Sequence, residues 1–312
     1  MSKTAARVMV PVKIVAGMVK AGTTVPEPNT ANGEVAWVSG AAYTAGNERT
    51  SNGSIWLARQ DHSGRTALPE VDGAYWIRSG PTDRMAPFDD YTSTKARGTG
   101  SIGYVIQPGF FGAVKVYGPE GDTCTITVRD SPGGTVVKTQ TFSLFAQAAG
   151  LYELLFTNLP MVDQVGMDDL PILPGAEVTI TVEAAGGAAV AIGDIKLGDW
   201  RQLIGDSELG GVEYGARTER KSYTYREYAS DGTYTTVKRG SSRDVSCSVK
   251  LSGDQAMYAD AVLGEILDVA VPFEASDLPR YGYLNTLGFV TGSISPDSYG
   301  IASLQLNIKG NI

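Results

Sequence analysis

The sequence predicts a mainly β protein with three parts: a small aromatic β-module, a jelly-roll-like β-sandwich, and a C-terminal α+β domain with one helix on a sheet. Three observations carry this expectation. Glycine is abundant, 38 of 312 residues, while charged residues make up only 19%. That balance suits short strands joined by tight turns better than long helices. Apolar and polar residues alternate with period two in runs such as TCTITVR and EVTITVE. Finally, Trp37, Trp56 and Trp76 fall with Tyr43 and Tyr75 in one stretch ending at Asp90, too dense a ring load for an ordinary aliphatic core. The expected order is an extended N-terminal arm (1–30), the aromatic module plus a rigid linker (31–97), the sandwich (98–199), and an assembly domain (200–312).

In the arm, Val8, Met9, Val10, Val12, Ile14 and Val15 make an apolar run, and Pro26 and Pro28 hold the backbone extended. With no hairpin partner nearby, the run either lies on its own chain or pairs with an edge strand of a neighbouring subunit. The module that follows has the spacing W-x-x-G-x-x-Y-x-x-G, then W-x-A-R, then a closing Trp76. It resembles small chitin-binding-type carbohydrate modules. That resemblance implies that Trp37, Tyr43, Trp56 and Trp76 stack on the apolar faces of sugars. The size of the module argues differently: so small a unit needs most of its rings for its own core.

After the last Trp comes IRSGPTDRMAPFDDYTST. With the ring pattern ahead of it and the domains behind it, this segment resembles a family of tailed-bacteriophage virion structural proteins that carry a GPTNRWAMFD-like motif. Gly80, Pro81, Thr82, Arg84, Ala86, Phe88 and Asp89 match the motif, while Asp83 and Met85 depart from it. From its residues alone, the segment reads as a structural linker. Pro81 and Pro87 stiffen it, and Arg84 is placed to pair with Asp83, Asp89 or Asp90. The resemblance implies a multi-copy, ring-forming tail, collar or baseplate protein. Its partners would be copies of itself and other virion proteins, and its location the virion, assembled in the host cytoplasm.

Between Gly98 and Asp199 three alternations define sandwich strands: Ile102/Tyr104/Ile106, Cys124/Ile126/Val128 and Val178/Ile180/Val182. Asp168-Asp169 reads as a solvated loop or a calcium ligand. In the last region, four tyrosines (Tyr223, Tyr225, Tyr228, Tyr234) flank Asp231-Gly232, a type I′ hairpin signal. Ser252 and Gln255 fit a capping box for a helix whose inner face is Ala259, Val262, Leu263 and Ile266.

The net charge of −8 disfavours a phosphate-binding surface and sequence-specific nucleic-acid recognition. It is compatible with an acidic wall past which DNA slides. Cys124 and Cys247 sit on the apolar phase of strands and read as small buried hydrophobes rather than a disulfide or a metal pair. The first residues lack the apolar run of a signal peptide, and no window has the length of a membrane span. The only histidine, His62, lies in a polar loop without a nucleophile or a second ligand. No phosphate loop, dinucleotide fingerprint or zinc-protease helix is present. The reading is therefore a non-enzyme without cofactor or metal, a virion structural subunit, with a glycan-binding surface module as the alternative.

Overall fold

A computed structural model of the chain describes residues 6–146, 150–157, 159–203, 212–228, 230–237, 240–276 and 278–311. The fold is mainly β. In chain order the strands begin with β1 (Arg7–Pro11), β2 (Glu48–Ser51), β3 (Ser54–Ala58), β4 (Trp76–Pro81), β5 (Ala96–Thr99) and β6 (Ser101–Ile106). Then come β7 (Ala113–Tyr117), β8 (Thr123–Arg129), β9 (Val136–Ser143), helix α1 (Leu151–Phe156), β10 (Gln164–Met167), β11 (Glu177–Glu183) and β12 (Ala189–Ile192). The last part holds β13 (Asp194–Gln202), β14 (Arg217–Ser222), β15 (Tyr225–Tyr228), β16 (Tyr234–Val237) and β17 (Ser241–Ser252). It ends with α2 (Gly253–Glu265), β18 (Ala270–Glu274), β19 (Thr286–Ser298) and β20 (Ile301–Gly310). Backbone contacts divide the chain into two units, Lys13–Ile195 and Met1–Val12 with Lys196–Ile312.

The first unit is built on a sheet of order β12-β5-β6-β11-β8-β9. The three sequence alternations meet in register there. Ile180 lies opposite Tyr104 and Ile126, Val178 opposite Ile106 and Val128, and Val182 opposite Ile102 and Cys124. All nine side chains are buried. Period-two alternation thus places one continuous apolar face on three strands, the condition for a sheet that packs on one side. The opposite face carries in-register threonines, with Thr125 bonded to Thr141 and Thr127 to Thr139, each at 2.9 Å. A second antiparallel pair, β7 and β10, contributes Val114, Val116, Val165 and Met167, all buried.

The aromatic module belongs to this unit as a small sheet of order β2-β3-β4. Its β2–β3 connection is Asn52-Gly53, with φ of 46° and 75°. Two successive left-handed residues between paired Ser51 and Ser54 make a type I′ turn, whose twist matches its strands.

In the second unit the strand order is β13-β1-β18-β19-β20-β17-β14, with α2 packed on β17, β19 and β20. Ala259, Val262 and Ile266 point from the helix into a core that includes Cys247, Val249, Leu304 and Leu306. Ser252 occupies the N-cap position, but its side chain makes no capping bond. It is also the last residue of β17, paired with Ile301, and the Gly253 N–H goes instead to the Gly300 carbonyl at 2.7 Å.

The structure assigns the N-terminal segment differently from a free arm. The first five residues of the expected arm lie outside the described residues. Arg7–Pro11 is an inner strand, antiparallel to β13 on one side and to β18 on the other. Val8 and Met9 are fully buried, and Arg7 forks onto Glu274 with its guanidinium 4.2 Å above the Trp200 ring. Gly198 makes the close pairing possible, since a Cβ there would lie 2.0 Å from the Val10 carbonyl oxygen. Residues 18–24 run along β6, with Lys20 and Thr24 N–H donating to Val105 and Gly103. The chain itself supplies the strand partners that the apolar run needs.

Candidate functional site

Three features carry the residues singled out in the sequence: the ring cluster, the GPTDRMAPFDD segment and the tyrosine hairpin.

The structure brings Trp37, Tyr43, Trp56 and Trp76 together. Tyr43, Ala58 and Trp76 form the centre of the module core, and Trp37, Trp56 and Tyr75 pack around it. Trp76 is only 2% exposed and Tyr43 only 5%. Their ring centroids lie 5.0 Å apart at 73°, an edge-to-face contact. The Tyr43 hydroxyl accepts from the Val38 N–H at 2.7 Å and donates to the Val38 carbonyl at 2.9 Å, so the ring also pins its own loop. Neither Tyr43 nor Trp76 offers a free face to a sugar. Trp37 and Trp56 are half-buried at the margin of the cluster.

His62, assigned from sequence to a polar loop, stands inside this cluster. It exchanges backbone hydrogen bonds with Tyr43 at 2.8 and 2.9 Å. Its ring lies 5.1 Å from both Tyr75 and Trp76. Nδ1–H donates to the Gln60 carbonyl at 2.9 Å, which fixes the tautomer and leaves Nε2 buried without a partner. The loop from Gly64 to Tyr75 is closed by Arg65, which forks onto Asp72 through Nε (2.5 Å) and Nη2 (3.0 Å) and lies 3.8 Å over Tyr75. A signal missed in the sequence is the Asn52-Gly53 turn, which registers β2 against β3 and so helps to place Ala58 in the core.

The linker segment Gly80, Pro81, Thr82, Arg84, Phe88 and Asp89 is a brace, although not by the expected ion pairs. Arg84 does not meet Asp83, Asp89 or Asp90. Its Nη2 donates to the carbonyls of Lys20 (3.1 Å) and Val19 (3.3 Å). Asp83 is engaged by the amides of Asn29 (2.9 Å) and Asn32 (2.5 Å). Asp89 caps the next turn through the Tyr91 N–H and the Thr94 hydroxyl. Thr82 is fully buried, and its N–H donates to the Gly53 carbonyl at 3.1 Å. Phe88 stands edge-on to Tyr104 of the sandwich core at 5.6 Å. Gly80 and Pro81 end β4 opposite Ile55 and Ser54. The segment ties the 15–35 stretch through Arg84 and Asp83, the module hairpin through the Thr82 N–H, and the sandwich through the Phe88 ring.

In the second unit the Asp231-Gly232 hairpin forms, but with a wider turn than type I′. The last register pair is Tyr228 opposite Tyr234, and only Gly232 of the two turn residues has a positive φ. Asp231 Oδ1 accepts from the Thr233 N–H (2.9 Å) and hydroxyl (2.6 Å), an Asx arrangement that fixes the turn. Every residue of β15 and β16 is exposed. The arm continues the β14–β17 pairing beyond the sheet, with the Tyr223 N–H donating to the Gly240 carbonyl. One of its faces carries Arg226, Tyr228 and Tyr234, the two rings 5.7 Å apart and the guanidinium 5.6 Å from Tyr234. A second exposed apolar element, missed in the sequence, is α1 with Leu151, Tyr152, Leu155 and Phe156. The signal was there: residues 145–161 contain one charged side chain, Glu153.

Asp168 faces Lys115 Nζ at 3.7 Å, a cation where a calcium ligand would need a free carboxylate. Cys124 and Cys247 are free and buried, and burial pushes each thiol up to about 12. Compared with protein-family models, with curated proteins and with solved structures, the chain matches none.

Proposed function

We propose that this chain is a structural subunit of a tailed-bacteriophage virion, used in many copies in a ring of the tail, collar or baseplate. The observation that carries the reading is the β15–β16 arm. A two-stranded hairpin open on both faces is marginal in water and gains its stability from whatever covers it. Its tyrosines and arginine are the residue types enriched where subunits meet. The GPTDRMAPFDD brace supports the same reading, since it does structural work in the segment that resembles the virion family. Copies of the chain and other virion proteins are the partners, and the virion is the location.

Light scattering of the purified full chain across a concentration series, followed by negative-stain imaging, tests the proposal. A closed ring of defined mass is the expected result. A chain that stays monomeric at high concentration, and gives no ring when imaged, would overturn it.

A further inference from the structure

We infer that β9, the open edge of the six-stranded sheet in the first unit, pairs antiparallel with β9 of a second copy of this chain, centred on Gln140. The contact is symmetric, and it does not use the β15–β16 arm on which the ring reading rests.

The sheet order β12-β5-β6-β11-β8-β9 leaves two edges. The β12 edge is closed by its own chain. Ala191 exchanges backbone hydrogen bonds with Glu120 at 2.8 and 2.9 Å, and the Gly193 N–H donates to the Tyr117 carbonyl at 3.1 Å. β9 pairs with β8 alone, and among the described residues no other backbone group bonds to the backbone of Val136–Ser143. A row of N–H and C=O groups therefore faces outward, the template for an added strand. Edge strands are usually guarded by charge, proline or a bulge. The edge strand β14 of the second unit is guarded in this way by Arg217, Glu219, Arg220 and Lys221. In β9 the only charged side chain is Lys138, and its ammonium is turned onto the Asp168 carbonyl at 2.6 Å. The register shift of β9 lies at its start, and residues 138–143 run in regular register. With the β12 edge taken, this sheet continues only through a like edge, β9 against β9, an isologous contact.

The sequence of β9 fits its own antiparallel copy. About Gln140, Thr139 of one copy stands opposite Thr141 of the other, twice. The same threonines already bond across the sheet, Thr141 to Thr125 and Thr139 to Thr127, each at 2.9 Å, and Thr181 and Thr179 continue the rows on β11. A hydroxyl donates once and accepts twice, so each row runs on through the two-fold axis into the second copy. On the other face, Gln140 lies opposite Ile126 yet is exposed, and its amide would meet the same amide of the second copy. The two Lys138 side chains fall at opposite ends, so no like charges face each other. At each end Val136 and Val137, 44% and 39% exposed, come alongside residues 143–145 of the second copy, where Phe145 is 42% exposed. Strand addition takes these apolar groups out of water.

The test uses the full chain as wild type, as Gln140→Lys, as Gln140→Glu, and as an equal mixture of the two variants. Each variant alone sets like charges face to face at the two-fold axis, and the mixture sets opposite ones. Circular dichroism confirms that each form is folded, and sedimentation velocity reads association. Each variant alone should associate about fivefold more weakly than wild type or worse, the scale of a like-charged cross-strand pair. The mixture should return to within about twofold of wild type, and high salt should narrow the differences. A wild type that never pairs, a variant that matches it within twofold, or a mixture no tighter than its components would overturn the pairing. Rings that form unchanged in every variant would overturn it and leave the ring reading intact, while pairs that respond as expected without any ring would do the reverse.

Discussion

Replacing Trp76 separates a ring held for packing from a ring held for binding. The indole is enclosed, with Tyr43 at 5.0 Å and His62 at 5.1 Å, both edge-to-face. Trp76→Ala removes the largest buried side chain of a core whose other fully buried members are Tyr43 and Ala58. Such a truncation costs about 3–5 kcal/mol, and each lost ring pair adds about 0.5–1.5 kcal/mol. A three-stranded module cannot absorb that loss, so β2–β4 should open locally while the sandwich stays folded. Trp76→Phe should behave otherwise. Trp76 Nε1 is buried without a hydrogen-bond partner, a penalty of about 1–3 kcal/mol that phenylalanine does not pay. The smaller ring loses packing area of similar worth, so Trp76→Phe should lie within about 1 kcal/mol of wild type. Hydrogen exchange at the amides of β3, with β8 and β11 as internal controls, reads both variants. Undiminished protection of β3 in Trp76→Ala would refute the ring-core argument. A Phe variant as damaged as the Ala variant would refute the cost assigned to the indole N–H.

The remaining predictions concern other joints of the fold. Gly53→Ala should cost about 2–4 kcal/mol, because φ of 75° is strained for alanine and its Cβ would lie 2.8 Å from Met85 Cγ. Adding Met85→Ala should recover the steric part, measured as the coupling in a double-mutant cycle by urea titration. Cys124 and Cys247 should not react with a thiol reagent at pH 8 until denaturant is added, since burial holds both as neutral thiols; rapid labelling of the native chain would contradict this. For Asp244, burial acts to raise the carboxyl, but Lys221, the Gly310 N–H and Ser242 outweigh it and leave it lowered; the Lys250 ammonium and Ser303 lower Asp297. Their folded values lie below their unfolded ones, so the stability they add is present above about pH 4 and is lost as pH falls through the folded values. Asp244→Asn should flatten that acid limb in urea midpoints taken between about pH 5 and pH 2. Deleting residues 1–12 should unfold the second unit rather than trim a tail, because β1 is paired on both sides; a truncated chain with native exchange protection in β18 and β19 would contradict it.

The sandwich was legible because alternation is a local property with one structural meaning. TCTITVR and EVTITVE could bury Cys124, Ile126 and Val128 against Val178, Ile180 and Val182 only as neighbouring strands, and they do. The inner face of α2 was legible for the same reason, from helical spacing. The N-terminal strand was not, since Val8 and Met9 reveal that they are buried but not that β13 and β18, nearly two hundred residues away or more, flank them. His62 does lie in a polar loop, but its ring contacts were not legible, because its partners, Tyr43 and Trp76, lie in other segments. Arg84 was expected on a carboxylate, and the sequence could not show that Asn29 and Asn32 already hold Asp83. The ring cluster itself was visible as a cluster. Which rings close the core and which stand at its margin is set by loop geometry that no spacing rule encodes.

The arm and the outer face of α2 stand out on the second unit for the same reason. Each alone is a poor surface for an isolated chain. The arm orders two strands whose residues are all exposed, and ordering costs on the order of 1 kcal/mol per residue in backbone entropy. α2 and the turn after it carry Asp254, Asp260, Glu265 and Asp268 and no basic residue. Scattered lysines on α2 would have balanced that charge, and a shorter β14–β17 turn would have removed the arm, so neither feature is forced by the fold.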